Sequence, residues 1–572
     1  MGFSATMMIL SRAMLIVLSL LVIGRCLRSL LTERYDPEIW AYLRLGKETI
    51  PVKHWENILG RSRGADIQVP LRGVSRSHAV LRRDDRGIWT VYDLYSRGGV
   101  WVGRDKVYED GLRVLDGSVI DLAGNKLRFH DTDQAKRERL EASRLSAGRR
   151  VSPAVTLLEL SAFQLFLLVQ HIVSAKAEDL ALIALSFGLL VLLEWSIFAA
   201  MRVIGRSGFE VETLAFYLTS LGFSVAASST PGDMVKQIVL TLAAVALFLL
   251  NGWWLRDLHR TAVMRIPIAV AAIGLLAVNV VFSEAVLGAK NWLEIGGMSF
   301  QPSELVKVAF VYVGAATMDR LYRKGELFSF IAFSALCVVA LALIGDFGTA
   351  LIFFVTFLVV AFLRSGSIAT VFLAVSGAAM AGVLAVSVKP YIAQRFASWG
   401  HVWEDIYGPG YQQTRAMSAA ASGGLFGKGA GAGWIKDIFA ANTDMVFAMV
   451  CEELGLIVAL CMVLAVLALA FFAVRSARHA RSSYYSIAAC AAMSLLLTQL
   501  ALNVFGTVDL LPFTGVTFPF VSRGGSSLLA CWMLMSFIKG ADNRRDASFA
   551  VRPGERMRGV ADEDDEDEEA EA

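Results

Sequence analysis

The sequence predicts a polytopic α-helical membrane protein that carries one soluble all-β domain close to its N-terminus. Of the 572 residues, 56% are hydrophobic and only 18% are charged, and the mean hydropathy is +0.55. Soluble proteins carry about 25% charged residues, so this composition excludes an ordinary soluble enzyme. The apolar residues form long runs that indicate membrane-spanning helices. Charged residues and alternating apolar positions return between residues 32 and 135, which indicates β-strands in water.

The first element is an N-terminal transmembrane anchor, residues 1–31. Its apolar run is followed by Arg25 and Arg28, without a small-residue cleavage site. The run therefore favours a retained anchor with its N-terminus outside, and a cleaved signal peptide is the alternative. The β domain follows at 32–135, and a basic linker at 136–153 separates it from the remaining apolar runs.

The runs after the linker predict about twelve spans, which gives about thirteen spans in the whole chain. Two additional helices at 154–204 precede a larger membrane domain at 205–540, in which one predicted span covers 444–474. A long irregular segment at 388–443 interrupts the apolar runs, and a tail at 541–572 ends the chain.

The distribution of charge predicts the orientation of these spans. Alternate short loops are rich in lysine and arginine, notably 256–265, 320–324, 475–481 and 539–545. Because cytoplasmic loops carry such an excess, we expect the β domain and the tail in the cytoplasm and the segment 388–443 outside. The net charge of +3 conceals this signal, because nine acidic residues fall in the last twelve positions and without them it would be +12. We expect this acidic tail to be disordered.

The composition also excludes several kinds of site. The six cysteines and seven histidines are dispersed, with neither CxxC spacing nor a histidine pair at helical spacing. No disulfide framework and no tightly bound transition metal or other cofactor are therefore expected. We also expect no nucleic-acid partner.

Within the β domain, three side chains have the chemistry of a phosphate site. Arg61, Ser75 and Arg76 supply two guanidinium groups and a hydroxyl on predicted loops, where they are suited to charge-assisted hydrogen bonds. With His78, their order and spacing resemble the forkhead-associated (FHA) domain over about residues 55–132. The resemblance implies a β-sandwich in which Arg61, Ser75 and Arg76 contact a phosphothreonine peptide of a cytoplasmic partner protein and His78 supports the loop.

One departure from the FHA pattern concerns the peptide backbone. The chain reads Gly98-Gly99-Val100 where the family usually has Asn-Gly-Thr, so an asparagine that holds the peptide is missing. The alternative is a domain that kept the fold as a docking module without binding phosphothreonine.

Several ionisable residues fall inside the predicted spans, where an unpaired charge costs about 2.5–3.5 kcal/mol. Glu304 and Lys307 are three residues apart and could neutralise each other on one helix face, and Asp346 opens another span. Glu452 and Glu453 lie inside an apolar run. For each of them, a structural ion pair is the alternative to a functional role.

The outside segment 388–443 combines acids, cations, aromatic residues and glycines. Arg395 and Lys428 could hold a phosphate, and an acidic residue of this segment is a candidate general base. A second irregular segment, 511–527, is predicted on the same side, where non-helical backbone is tolerated when it lines a cavity.

From about residue 210 to 539 the chain resembles the SEDS family, the FtsW/RodA/SpoVE proteins of bacterial cell-wall synthesis. The matching motifs are Gly288-Ala289-Lys290-Asn291-Trp292, the run 301–307, Asp346-x-Gly348-Thr349, the loop 395–412, Thr443-Asp444 with Glu452-Glu453-Leu454-Gly455, and the segment 512–527. Val402 and Ile406 replace usual prolines, and Arg523 replaces a common tyrosine. The resemblance implies a ten-span core, with the anchor and the helices at 154–204 as about three additions.

The resemblance further implies a peptidoglycan glycosyltransferase that polymerises lipid II on the outer face of the bacterial cytoplasmic membrane. Asp405 matches the essential acid of the family, and we assign it as the general base, with the adjacent Glu404 as its competitor. The reaction needs a base for the acceptor hydroxyl and positive charge for the departing diphosphate, for which a divalent cation, Mg²⁺ or Mn²⁺, is an option. The expected substrate-binding residues are Arg395, Lys307, Glu304, Trp403, Gln412, Lys428, Asp346, Ser522 and Gly524.

The expected partner by resemblance is a class B penicillin-binding protein, which cross-links the new strands. Two other functions stay open: a lipid II flippase, which would depend on the intramembrane charges, and a scaffold that acts through the FHA domain. The shared motifs do not separate a septal from an elongation role.

Overall fold

The structure is a computed structural model that describes most of the sequence. The described residues are 3–32, 38–62, 65–84, 87–108, 110–132, 151–206, 208–283, 291–295, 298–318, 326–365, 368–388, 390–544 and 547–550. Most of the predicted basic linker, the acidic end of the chain and Gly288-Ala289-Lys290 lie outside the described residues.

Thirteen helices of at least 17 residues lie in the described part of the chain, where the apolar runs predict them. They are α1 (Phe3–Thr32), α2 (Pro153–Ser174), α3 (Ala177–Val203), α4 (Glu210–Ser229), α5 (Met234–Trp254), α6 (Leu258–Phe282), α7 (Pro302–Met318), α8 (Glu326–Ile344), α9 (Phe347–Ser365), α10 (Ile368–Val388) and, after four shorter helices, α15 (Leu456–Ala477), α16 (Ser483–Thr507) and α17 (Gly525–Ala541). By length and composition, nine helices among the described residues could cross a membrane, and two shorter apolar helices accompany them. The protein is therefore a multi-pass membrane protein.

The four shorter helices belong to the region around the predicted outside segment. They are α11 (Pro390–Ser398), α12 (Tyr411–Gly423), α13 (Ala441–Asp444) and α14 (Val446–Leu454). The single predicted span 444–474 is wrong, because the helix is broken at Gly455, which has φ +92°. A Cβ at Gly455 would lie 2.4 Å from the carbonyl oxygen of Leu425, so the crossing of residues 423–429 forces the break.

The predicted β domain is confirmed as two sheets packed around an apolar core that includes Trp89 and Phe129. One sheet has the order β2-β1-β11-β10-β7-β8 and the other β4-β3-β5-β6-β9. The strands are β1 (Ala41–Leu45), β2 (Glu48–Val52), β3 (Glu56–Gly60), β4 (Ile67–Gln68), β5 (Ala79–Arg83), β6 (Trp89–Asp93), β7 (Val100–Val102), β8 (Asp105–Lys106), β9 (Leu112–Val114), β10 (Val119–Leu122) and β11 (Asn125–Asp131). A separate hairpin, β12 (Leu293–Ile295) and β13 (Met298–Phe300), precedes α7.

The β domain and the segment 390–443 lie at opposite ends of the helix bundle. Near the start of α1, Arg12 donates to the carbonyl oxygen of Lys428. The β domain, which follows the other end of α1, contacts the loop between α15 and α16, where the N–H of Trp55 donates to the carbonyl oxygen of Arg481 (2.7 Å). Helix α15 starts beside residues 424–425 and ends before that loop, so it spans the distance between them.

Buried ion pairs join the first and last helices of the membrane domain at the end that faces the β domain. Lys539 on α17 donates to Glu212 on α4 (2.9 Å) and to the carbonyl oxygen of Gly208 (2.8 Å). Arg544 pairs with Glu210 (3.3 Å), also on α4. The charges of Lys539, on the last helix, and of Arg544, just after it, are therefore paired inside the bundle.

The start of the predicted disordered tail is part of this packing. Arg544 and Phe549 are buried, and a Cβ at Gly252 would lie 2.3 Å from the Phe549 ring. The predicted boundary at 541 is therefore wrong for residues 541–544 and 547–550, because their apolar and paired side chains are buried against α4 and α5.

Replacing Lys539 with methionine should destabilise the protein by roughly 3–5 kcal/mol, because Glu212 would remain buried without its partner. Thermal unfolding in detergent measures the effect. The double variant Lys539→Met/Glu212→Leu should recover most of the loss, and Lys47→Met on an exposed turn is the matched control. An equal loss in the single and the double variant would contradict this account.

Candidate functional site

Asp405 lies in the turn between α11 and α12, at the end of the bundle away from the β domain, and its side chain is exposed. The N–H of Gly408 donates to Asp405 Oδ1 (2.9 Å), and the N–H of Gly410 donates to its carbonyl oxygen (3.2 Å). A Cβ at Gly408 would lie 2.3 Å from Asp405 Oδ2, so a larger residue there would displace the carboxylate from this position. The turn presents the carboxylate to solvent beside Trp403 and Tyr407, which are 60% and 81% exposed.

Hydrogen bonds anchor this loop to the end of α16 and the segment that follows it. Arg395 on α11 donates to the carbonyl oxygen of Phe513 (3.0 Å), and the N–H of Gly400 donates to Asp509 Oδ1 (3.2 Å). Gln413 on α12 donates to the carbonyl oxygen of Gly506 (2.8 Å). The exposed acid thus lies on a loop that is held on both sides.

Lys307 begins a chain of polar contacts inside the bundle. Its side chain is 1% exposed and donates to Glu304 Oε1 (2.9 Å) and Gln499 Oε1 (3.2 Å). Gln499 in turn donates to Thr517 Oγ1 (2.8 Å), which contacts Ser527 Oγ (3.0 Å). These contacts connect α7, α16 and α17 with the irregular segment 511–524. Glu304 and Lys307 therefore neutralise each other, as the sequence allowed.

Asp346 caps the start of α9 beneath the same segment. Its carboxylate accepts from the N–H of Thr349 (3.0 Å) and from Gln301 Nε2 (3.4 Å). A Cβ at Gly348 would lie 2.6 Å from Val516 Cγ2, so the glycine of this motif allows α9 to approach the segment closely. Asp346 is thus held by local contacts within reach of the site.

Asp444 is a site residue to which the sequence assigned no role. Burial raises the pKa of its carboxyl to about 6, the charge of Arg395 opposes the rise, and the charge of Asp346 adds to it. Asn503 on α16 donates to the carbonyl oxygens of Asp444 (3.0 Å) and Val516 (2.7 Å). Asp444, Arg395 and Asp346 therefore affect one another's charge. In the sequence, the Thr443-Asp444 motif was the signal that could have identified Asp444 as a site residue.

Lys428, Glu452 and Glu453 form a separate cluster around the helix break. Lys428 donates to Glu452 Oε1 (2.8 Å), and Glu452 Oε2 accepts the N–H groups of Trp434 (3.1 Å) and Ile435 (3.0 Å). Glu453 accepts from Ser228 (2.6 Å) and from the N–H of Gly431 (3.0 Å). The two glutamates therefore hold the glycine-rich segment 428–435 in place. This is the structural role that the sequence left open as the alternative to a functional one. The charge of Lys428 is thus paired with Glu452 in this structure. The predicted contact of Lys428 with diphosphate stays a prediction.

Two other predicted substrate-binding residues, Gln412 and Ser522, bind backbone groups of neighbouring segments, and a third, Gly524, lies just before α17. Gln412 donates to the carbonyl oxygen of Phe439 (3.1 Å). Ser522 accepts from the N–H of Phe518 (2.7 Å) and donates to the carbonyl oxygen of Thr443. Gly524 precedes the first residue of α17. Their contacts to substrate stay predictions.

No cluster of three or more His, Cys, Asp or Glu side chains suited to a metal ion occurs among the described residues. Asp346 and Asp444 are the acidic pair that share the site's electrostatics. The use of Mg²⁺ or Mn²⁺ therefore stays a prediction.

The loop after β3 carries Arg61, and the loop before β5 carries Ser75 and Arg76. These two loops, named the phosphate loops, come together at one end of β3 and β5. The N–H of Arg61 donates to the carbonyl oxygen of Ser75 (2.9 Å), and the N–H of Arg97 donates to Ser75 Oγ (3.2 Å). Buried His78 accepts from the N–H of Ser75 (2.9 Å) and contacts the carbonyl oxygen of Gly99 (2.9 Å). It therefore joins the loop before β5 to the loop before β7. The side chains of Arg61, Arg76 and Arg97 are exposed there, and the arrangement offers an anion three cations and a hydroxyl.

The missing asparagine has a steric explanation. A Cβ at Gly98 would lie 2.2 Å from the Cβ of Ala123, in the turn between β10 and β11. Both Ala123 and Gly124 have positive φ, 55° and 87°, so this turn is tight and cannot easily yield. A side chain at position 98 is therefore excluded by the neighbouring turn.

The fold and the two sites define a polytopic membrane protein with an attached β domain that exposes a cluster of cations at one end. The family described as cell cycle protein FtsW/RodA/SpoVE matches residues 216–546, more than half of the chain, and the FHA domain matches residues 57–123. The chain belongs to the FtsW/RodA/SpoVE family and contains an FHA domain.

Curated relatives match the membrane domain. The peptidoglycan glycosyltransferase RodA of Mycobacterium tuberculosis is 28% identical over 337 residues, which are 56% of this chain and 72% of the relative. The probable peptidoglycan glycosyltransferase FtsW of Tolumonas auensis is 30% identical over 360 residues, 59% of this chain and 93% of the relative.

Solved structures include one from a study of polymerization and crosslinking by a peptidoglycan synthase complex. Its matching chain has a TM-score of 0.48 and 24% identity, and the match covers 58% of this chain and 96% of that one. The rod shape determining protein RodA of Thermus thermophilus has a TM-score of 0.42 and 22% identity, with coverage of 58% and 95%.

Asp444→Asn should raise the stability at neutral pH by on the order of 3 kcal/mol, because ionising this carboxyl costs free energy in the folded protein. With a pKa raised from 3.8 to about 6, the cost is complete above about pH 6 and absent below about pH 4. Thermal unfolding of the variant and the wild type across this range measures the difference, with exposed Asp437→Asn as control. A difference that does not change with pH would contradict this explanation.

Proposed function

We propose that this protein is a peptidoglycan glycosyltransferase that polymerises lipid II into glycan strands. The observation that carries the proposal is the solvent-facing carboxylate of Asp405, on a loop anchored to α16 above a core of paired charges. The names of the related RodA and FtsW proteins support the same activity. The resemblance of the motif around Asp405 to the family's essential acid adds to this.

The chemistry requires two charges of opposite sign near one bond. Asp405 accepts the proton of the acceptor's 4-hydroxyl as that oxygen attacks the anomeric carbon of the lipid-linked sugar, and the bond to the diphosphate breaks with inversion. Positive charge stabilises the departing undecaprenyl diphosphate. Arg395 is the cation we assign to it, because Arg395 lies on the same anchored loop system and its charge reaches Asp444.

The same proposal assigns the two ends of the bundle to the two sides of the membrane. The β domain contacts the loop after α15, whose sequence is rich in arginine, and such loops favour the cytoplasm. The Asp405 loop lies at the opposite end, so we place it on the outer face with its lipid II substrate. A class B penicillin-binding protein is the cross-linking partner that we expect there.

Asp405→Ala should abolish glycan polymerisation by the purified protein with its partner, because the acceptor hydroxyl would lose its base. Glu404→Gln is the matched control and should keep most of the activity, since Glu404 contacts His401 instead (3.1 Å). Gel analysis of labelled lipid II products measures both. A flippase would form no glycan in the wild type, whereas polymer formed by Asp405→Ala would refute the assignment.

For the FHA domain we propose phosphothreonine-dependent binding of a cytoplasmic protein. The exposed guanidinium groups of Arg61 and Arg76 and the hydroxyl of Ser75 support capture of the phosphate. Gly98 leaves the peptide backbone without the usual amide, so we expect the phosphate to contribute most of the affinity.

Arg61→Ala should therefore weaken binding of a phosphothreonine peptide about tenfold or more, because a charge-assisted contact is lost. Calorimetric titration of the full chain with a phosphothreonine peptide library and its threonine counterpart measures the preference. Arg128→Ala, on an exposed position of β11, is the control. Equal binding of both libraries to the wild type would favour a docking module.

A further inference from the structure

The FHA domain rests on the membrane domain through one compact set of contacts. Besides the bond from the N–H of Trp55 to Arg481, the ring nitrogen Nδ1 of His54 contacts the carbonyl oxygen of Ala480 (2.8 Å). Arg481 also pairs with Glu38 through its Nη2 (2.7 Å). The loop between α15 and α16 is therefore bound to the FHA domain through its backbone carbonyl oxygens and through one ion pair.

A stack of arginine and tryptophan side chains reinforces these contacts. The guanidinium carbon of Arg481 lies 5.3 Å from the Trp40 ring centroid, and that of Arg83 lies 4.9 Å from the same centroid. Trp40 and Trp55 meet edge to face at 5.7 Å. Arg481 from the membrane domain thus completes an aromatic cluster of the β domain.

Glu56 connects the β domain directly to α16. Its Oε2 accepts the N–H of Ser483 (3.0 Å), the first residue of that helix. The first N–H groups of a helix have no partner within the helix, and a carboxylate there is favoured by the helix dipole. The β domain therefore supplies an N-terminal cap to α16, together with the hydroxyl of Ser482, which accepts from Tyr484 (3.3 Å).

The same two strands that reach this interface begin or end at the phosphate loops. Strand β3 runs from Glu56 to Gly60, which precedes Arg61, and β5 runs from Ala79, which follows His78, to Arg83. The strands pair antiparallel, and the N–H of Arg83 donates to the carbonyl oxygen of Trp55 (2.7 Å). The phosphate loops and the membrane interface are thus opposite ends of one strand pair about 15 Å long.

The other end of α16 holds the proposed active site. Gln499 contacts Lys307, Asn503 binds the carbonyl oxygen of Asp444, and the carbonyl oxygen of Gly506 accepts from Gln413 beside the Asp405 turn. One rigid helix therefore has the FHA domain at its start and the catalytic loop contacts at its end.

We propose that the FHA domain is a docked control unit whose contacts through Glu56 and Arg481 position α16, so that occupancy of its phosphate loops changes lipid II polymerisation. The inference rests on the proposed function. Glu56 and Arg481 act as positioning residues: they contact neither substrate nor the reacting atoms. Two sites coupled in this way must influence each other reciprocally.

The first experiment compares Arg481→Ala and Glu56→Gln with the control variants Arg128→Ala and Glu48→Gln, which replace exposed side chains of the same domain. Full-length protein in lipid nanodiscs is followed by hydrogen exchange at residues 483–485 and by lipid II polymerisation. The interface variants should exchange faster there and lose about fivefold in kcat with KM unchanged. Arg481→Lys should recover part of both effects, because it restores the charge near Glu38.

The second experiment adds a phosphothreonine peptide library to the same proteins. In the wild type the library should change both kcat and exchange at 483–485, and in the interface variants it should still bind but change neither. Interface variants with wild-type exchange and kcat, or a wild type whose exchange at 483–485 ignores the library, would overturn the inference. If the wild type makes no glycan, the proposed function fails, while the exchange results still decide whether α16 is coupled to the FHA domain.

Discussion

The pairing of buried charges between elements is the constraint on which the rest of the structure depends. An ion removed from water costs several kcal/mol, so a buried lysine is stable only where its partners meet it. Lys307 meets Glu304 on its own helix and Gln499 on α16, and Lys539 joins α17 to Glu212 on α4. Because Gln499 and Glu212 come from distant parts of the sequence, their contacts fix how the helices lie against one another.

The candidate site combines this fixed set of helices with an exposed loop that carries Asp405. Asp405 itself is held by a glycine turn, and its loop is tied to α16 through Gln413 and the carbonyl oxygen of Gly506. A base that must reach a large lipid-linked sugar has to lie at the surface, yet it has to be oriented. Anchoring the loop to a helix that is itself locked by Gln499 and Asn503 satisfies both demands.

The sequence was sufficient for features that depend on composition and local pattern. Thirteen helices and the β-sandwich follow from apolar runs and alternation. The catalytic role of Asp405 stays a prediction from its motif. The break at Gly455 could not be predicted in this way, because the run 444–474 is apolar throughout and the break depends on a crossing segment. The partner of Lys428, the burial of Phe549 and the environment of Asp444 likewise depend on contacts between residues far apart in the chain.

The FHA domain poses the question of whether docking and phosphate binding are alternatives. Trp55 and Glu56 contact the membrane domain at one end of β3 and β5, whereas Arg61 and Ser75 lie at the other. Docking therefore leaves the phosphate loops exposed. The steric exclusion of a side chain at Gly98 removes one contact to a peptide backbone but none of the cations. A domain built in this way can hold α16 and expose its cations at once, which is what the proposed control unit requires.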